Sequence, residues 1–172
     1  LAWISIHSYQ RERIRTLFNP ENDPLGAGYH IIQSKIAIGS GGLYGKGWLN
    51  GTQSHLEFLP ERATDFIFAV YCEEFGLVGV LMLMAAYLLV ISRGIHVARN
   101  AQDTFERLLS ASLIITFVTY IIVNVMMVVG LMPVVGVPLP LISYGGTSMV
   151  TMMASLGMVV AIHTHRKFYS RD

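Results

Sequence analysis

From Leu108 to His165 the chain runs 58 residues without a single Asp, Glu, Lys or Arg. A water-soluble domain of this size cannot hide such a stretch in one small core, so it belongs in a membrane. Phe75–Ser92 is uncharged over another 18 positions. Charged residues are 13% of the whole chain, against about 25% in soluble domains. These features exclude a soluble enzyme and a disordered chain. A net charge of only +1 argues against a nucleic-acid-binding module. The single cysteine, Cys72, rules out an internal disulfide or a cysteine-based metal cluster.

As one helix, residues 108–165 would be about 87 Å long at ~1.5 Å per residue, nearly three bilayer cores. The stretch must fold back, and its breakers lie near the middle: Gly130, Pro133, Gly136, Pro138, Pro140, Gly145 and Gly146. The expected architecture is an all-α polytopic membrane protein with spans at about 65–91, 108–132 and 147–163. Residues 1–6 read as the end of a preceding membrane helix, not a signal peptide, and the chain as a fragment.

Charge in the short connections orients these spans. The 92–107 connection carries Arg93, Arg99 and Arg107, the C-terminal tail carries Arg166, Lys167 and Arg171, and residues 133–146 carry no charge. The positive-inside rule puts the first two in the cytoplasm and the third outside. Residues 7–64 then form a large exterior loop. Its six basic residues are nearly balanced by five acids, and long loops weigh little in this rule.

Within that loop, Ile31–Ile38 suits a short amphipathic or re-entrant helix. Gly39–Gly47 then supplies five glycines in nine residues. Such a run is either a flexible turn or a place where backbone N–H groups approach an anion or ligand closely. Arg11, Arg13, Arg15 and Lys35 suit either pyrophosphate binding or contact with lipid headgroups. The six histidines show no metal-ligand spacing beyond His163 and His165 in the tail, and no metal is assigned to them.

Carboxylates near the membrane are the candidates for chemistry. Thr64 and Asp65 lead into the apolar run Phe66–Val70, so either could cap the helix. Asp65 could instead face a lipid-linked substrate at the membrane boundary. Glu61 lies four residues earlier, on the same face if the helix begins early. Glu73 and Glu74 lie deeper, Glu73 being offset about 80° from Asp65 on a continuous helix. At least one of the two must face protein, as a structural hydrogen bond or in a catalytic or transport role. These residues suit an enzyme and a transporter equally.

Five segments occur in order: Asp23–Tyr29 (DPLGAGY), Gln33–Gly42 (QSKIAIGSGG), Leu59–Val70 (LPERATDFIFAV), Glu73–Gly79 (EEFGLVG) and Pro138–Ser148 (PLPLISYGGTS). Together they closely resemble the SEDS family of RodA and FtsW, and its cell-elongation branch most. The resemblance covers residues 7–168. It implies a fold of about ten spans, of which this chain is the C-terminal part, and an expectation that the chain alone is inactive.

The resemblance further implies a peptidoglycan glycosyltransferase that polymerises lipid II into β-1,4 glycan strands with loss of undecaprenyl pyrophosphate. The family's essential aspartate falls on Asp65, the expected base for the acceptor hydroxyl. Gln10, Lys35, Glu57, Glu61 and Ser143 are carried over as substrate-binding positions. An α-linked donor giving a β product requires inversion, with one base and a stabilised leaving group. Cationic side chains or a divalent cation (Mg or Mn) would supply that stabilisation, and no other cofactor is implied. The implied partners are lipid II, a class B penicillin-binding protein transpeptidase and other elongation-complex proteins, in the bacterial cytoplasmic (inner) membrane. The alternatives are a lipid II flippase and a non-catalytic scaffold of the cell-wall synthesis complex.

Overall fold

A computed structural model of the chain describes residues 13, 16, 17, 26–51 and 64–164. These residues build four helices, α1 (Ala27–Ser40), α2 (Ile67–Arg99), α3 (Thr104–Val129) and α4 (Gly146–Thr164), with no strand among the described residues. Helices α2, α3 and α4 are long and apolar enough to cross a membrane. The fold is that of an all-α polytopic membrane protein.

α2 and α3 form an antiparallel hairpin joined at residues 100–103. Their close approach depends on Gly94, since a Cβ there would overlap the side chain of Ile114. Phe68, Ala69, Cys72 and Tyr87 of α2 pack with Phe117, Ile121, Met127 and Val128 of α3, and Met152 of α4 joins them. α1 lies across the hairpin at one end, burying Ile31, Ser34 and Ala37 at helical spacing. The expected Ile31–Ile38 helix is therefore present and extends further in both directions.

α3 stops at Val129 because Gly130 takes the left-handed conformation (φ 79°) that closes many helices. The chain then runs without helix until α4 begins at Gly146. Irregular backbone is tolerated within a membrane protein only where its polar groups find partners. Side chains from separate elements supply them here. Ser34 donates to the Val128 carbonyl (2.8 Å), Arg13 to Val134 (2.6 Å), Asn124 to Val137 (2.6 Å) and Tyr87 to Pro140 (2.8 Å).

α2 departs from expectation at both of its interesting points. It begins at Ile67, so Asp65 lies in the preceding turn, and no continuous helical offset relates Asp65 to Glu73. The helix is also broken at Gly76 (φ 62°, ψ −160°). At that break Leu77 and Val78 donate their N–H groups to Gly42 and Leu43 rather than into the helix (3.0 and 3.1 Å). The carbonyls of Glu73 and Glu74, freed by the same break, accept from Lys46 and Gly47 (3.0 Å each). The glycine-rich segment is thus neither a flexible turn nor, at these positions, an anion cradle. It replaces the hydrogen bonds that the kink removes.

Candidate active site

Asp65 is held through its backbone carbonyl, and its carboxylate lies near Gly136. Thr64, Asp65 and Phe66 form the turn that enters α2. Phe66, 1% exposed, wedges into the core with its ring against His30 of α1 (centroids 5.8 Å apart). Ser143 donates to the Thr64 carbonyl (2.6 Å), and its oxygen accepts from the Leu139 N–H (2.6 Å). The Asn124 amide donates to the Asp65 carbonyl (2.9 Å) and to that of Val137 (2.6 Å). Asp65 itself remains partly exposed. The residue at the N-cap position of α2 is Phe66, which makes no side-chain cap hydrogen bond.

The Asp65 carboxylate lies against Gly136, where a Cβ would come 3.2 Å from Oδ2. Gly136 has φ 81°, a conformation that side-chain-bearing residues rarely adopt. The same irregular segment carries two cations. Arg13 binds the Val134 carbonyl, and Lys35 crosses Gly130, where a Cβ would come 2.9 Å from Nζ. Two residues of extended chain span about 7 Å, so the Arg13 guanidinium, bound to the Val134 carbonyl, and the Asp65 carboxylate, beside Gly136, lie against neighbouring stretches of one loop. Lys35 is exposed and forms no ion pair among the described residues. One base and two cations on one segment can accept a proton from a hydroxyl and stabilise an anionic leaving group.

The remaining expected site residues fall differently. Gln10, Glu57 and Glu61 lie outside the described residues, as do Arg11 and Arg15. Ser143 is 3% exposed and its hydroxyl is occupied by the Thr64 and Leu139 backbone, so it shapes the Asp65 turn instead of offering its hydroxyl to a ligand. Glu73 is fully buried in an ion pair with Lys46 (2.7 Å), and Glu74 is also buried. This realises the structural alternative for Glu73. Among the described residues, no group of three His, Cys, Asp or Glu side chains comes together.

Asn124 is the site-forming residue that the sequence reading passed over. A search for charge does not register a lone amide inside an uncharged span, although intramembrane amides commonly join helices.

Residues 1–168 match the model of the FTSW_RODA_SPOVE family, described as cell cycle protein. Peptidoglycan glycosyltransferase MrdB of Escherichia coli is 62% identical over 172 residues, which is 100% of this chain and 46% of that relative. A chain in a structure described as "Structural coordination of polymerization and crosslinking by a peptidoglycan synthase complex" superposes with a TM-score of 0.74 at 36% identity, covering 97% of this chain and 45% of the other. The Thermus thermophilus rod shape determining protein RodA, in a mutant form, superposes at 0.60 with 33% identity, covering 79% and 41%. The chain spans about half the length of the curated relatives it matches.

Proposed function

This chain belongs to the FtsW/RodA/SpoVE family of cell cycle proteins, and from that premise we propose that it forms the aspartate-bearing half of a peptidoglycan glycosyltransferase. The reaction is polymerisation of lipid II into β-1,4 glycan for cell elongation and rod shape. The observation that carries this reading is the partly exposed Asp65 carboxylate, fixed by its backbone beside Gly136 on the segment that Arg13 and Lys35 also contact.

Asp65 takes the proton from the acceptor sugar hydroxyl as that oxygen bonds to the donor's anomeric carbon. The bond from that carbon to the pyrophosphate oxygen breaks on the opposite face, inverting the configuration. The departing negative charge falls to Lys35 and Arg13. Asp65 is the residue that would hold a divalent cation, Mg or Mn, and such an ion would supply charge stabilisation to the pyrophosphate leaving group. The test is polymerisation of purified lipid II by the full-length protein, with and without a class B penicillin-binding protein transpeptidase, the proposed partner. Glycan strands are expected in the presence of the partner, and their absence under both conditions would defeat the reading.

The proposed location is the bacterial cytoplasmic membrane, with residues 7–64 and 133–146 exterior and residues 92–107 and 164–172 cytoplasmic. Tyr44, 83% exposed, and Gln102, also exposed, report on the two sides. An impermeant thiol reagent should label Tyr44→Cys in intact cells and Gln102→Cys only after permeabilisation. The reverse pattern would invert the topology.

A further inference from the structure

Asn124 is 0% exposed near the C-terminal end of the apolar helix α3, where an amide is costly unless it is hydrogen-bonded. Both of its donors are used, and both go to carbonyls of non-helical segments: Asp65 and Val137. Its Oδ1 is buried without a hydrogen-bond partner among the described residues. Exchanging the amide's oxygen and nitrogen would set that oxygen against two carbonyl oxygens, so the donors fix the orientation. Leaving one polar atom unpaired costs about 1–3 kcal/mol. An apolar side chain of similar volume would remove that unpaired atom but would take the shared donor away from the Asp65 and Val137 carbonyls.

The two acceptors explain the choice. Asp65 carries the carboxylate, and Val137 follows Gly136, against which that carboxylate lies. A single amide therefore sets the spacing between the base and the loop it faces, from a helix that belongs to neither segment. We propose that Asn124 is the positioning residue of the Asp65 carboxylate, registering the Asp65 turn against the 136–137 segment. This rests on the assignment of Asp65 as the base. A misplacement of about 1 Å at a reacting group costs on the order of 10²-fold in rate. Loss of the amide should therefore lower kcat while substrate binding, made elsewhere in the site, is retained.

The test uses the full-length protein carrying Asn124→Leu, similar in volume and compatible with a membrane helix, and Asn124→Ser, which is too short to bridge both carbonyls. Glycan synthesis is measured per folded protein, normalised by monodisperse yield and thermal melting. We expect kcat to fall about 10- to 100-fold with KM little changed. In an Asp65→Asn background, Asn124→Leu should add no further loss to the residual rate, because the group it positions is gone. Wild-type kcat in either folded variant, or an equal fractional loss in both backgrounds, would overturn the proposal. So would failure of both variants to fold, which would make Asn124 a folding residue. If Asp65→Asn alone keeps wild-type turnover, the base assignment fails first and the proposal with it. That result is read from the single variant, independently of Asn124.

Discussion

Asp65→Asn in the full-length protein is expected to cut glycan synthesis by about 10²–10⁴-fold, to a small residual rate, while leaving yield, melting and partner association unchanged. The side chains are nearly isosteric, and the bonds that hold this turn run to the backbone carbonyls of Thr64 and Asp65. The exchange leaves those carbonyls in place. Asn also fits beside Gly136 as Asp does, but it cannot take a proton. Loss of a positioned base typically removes 10²–10⁴-fold of rate, about 3–5 kcal/mol in the barrier. A residue that merely capped α2 would tolerate Asn, since the two cap about equally well, and the structure shows no side-chain cap there. Lipid II polymerisation by the purified variant decides the matter. Near-wild-type strand synthesis would remove Asp65 from the base role. Lost lipid II transport with intact polymerisation would point to a flippase.

The second large effect concerns folding and falls at Gly76. Its φ 62°, ψ −160° lies in a region essentially restricted to glycine, where another residue costs about 1–3 kcal/mol. A Cβ there would also overlap the Gly45 nitrogen, and a Cβ on Gly45 would overlap the Glu74 carbonyl. Either alanine substitution pushes the 41–47 segment off the kink and strands Leu77 N–H, Val78 N–H and the carbonyls of Glu73 and Glu74. Each hydrogen bond contributes roughly 0.5–1.5 kcal/mol net, and more is lost where the stranded group stays buried. The same displacement threatens the ion pair between Lys46 and fully buried Glu73, and an uncompensated buried charge costs several kcal/mol more. Against a typical total stability of 5–15 kcal/mol, this is expected to unfold a large fraction of the protein. Gly76→Ala and Gly45→Ala should each sharply lower the detergent-extracted yield and the Tm. By contrast Gly42→Ala, with open space around its Cβ position, should lose only the strain of its φ of 56°. Wild-type melting of Gly76→Ala would show that the loop does not hold the kink.

The membrane class, the helical composition and the approximate helix positions were legible in local sequence. Removing an unpaired charge from water is costly in any fold, so charge-free stretches disclose membrane burial without tertiary information. The break after α3 could be read from Gly130 and the prolines that follow, because backbone conformation at those residues is restricted locally. Asp65 was legible as a boundary carboxylate, and family resemblance singled it out. The pairings that make the site were not legible. Asn124 meets Asp65 across 59 residues, Ser143 meets Thr64 across 79, and Lys46 meets Glu73 across 27. Glycine spacing likewise allowed a ligand cradle or a loose turn, until the 41–47 segment was seen bonded to the broken helix. Local sequence determines which groups need a partner, because desolvation and backbone restrictions act residue by residue. Only the tertiary structure decides which partner they meet, because hydrogen bonds act over about 3 Å and depend on where distant segments come to rest.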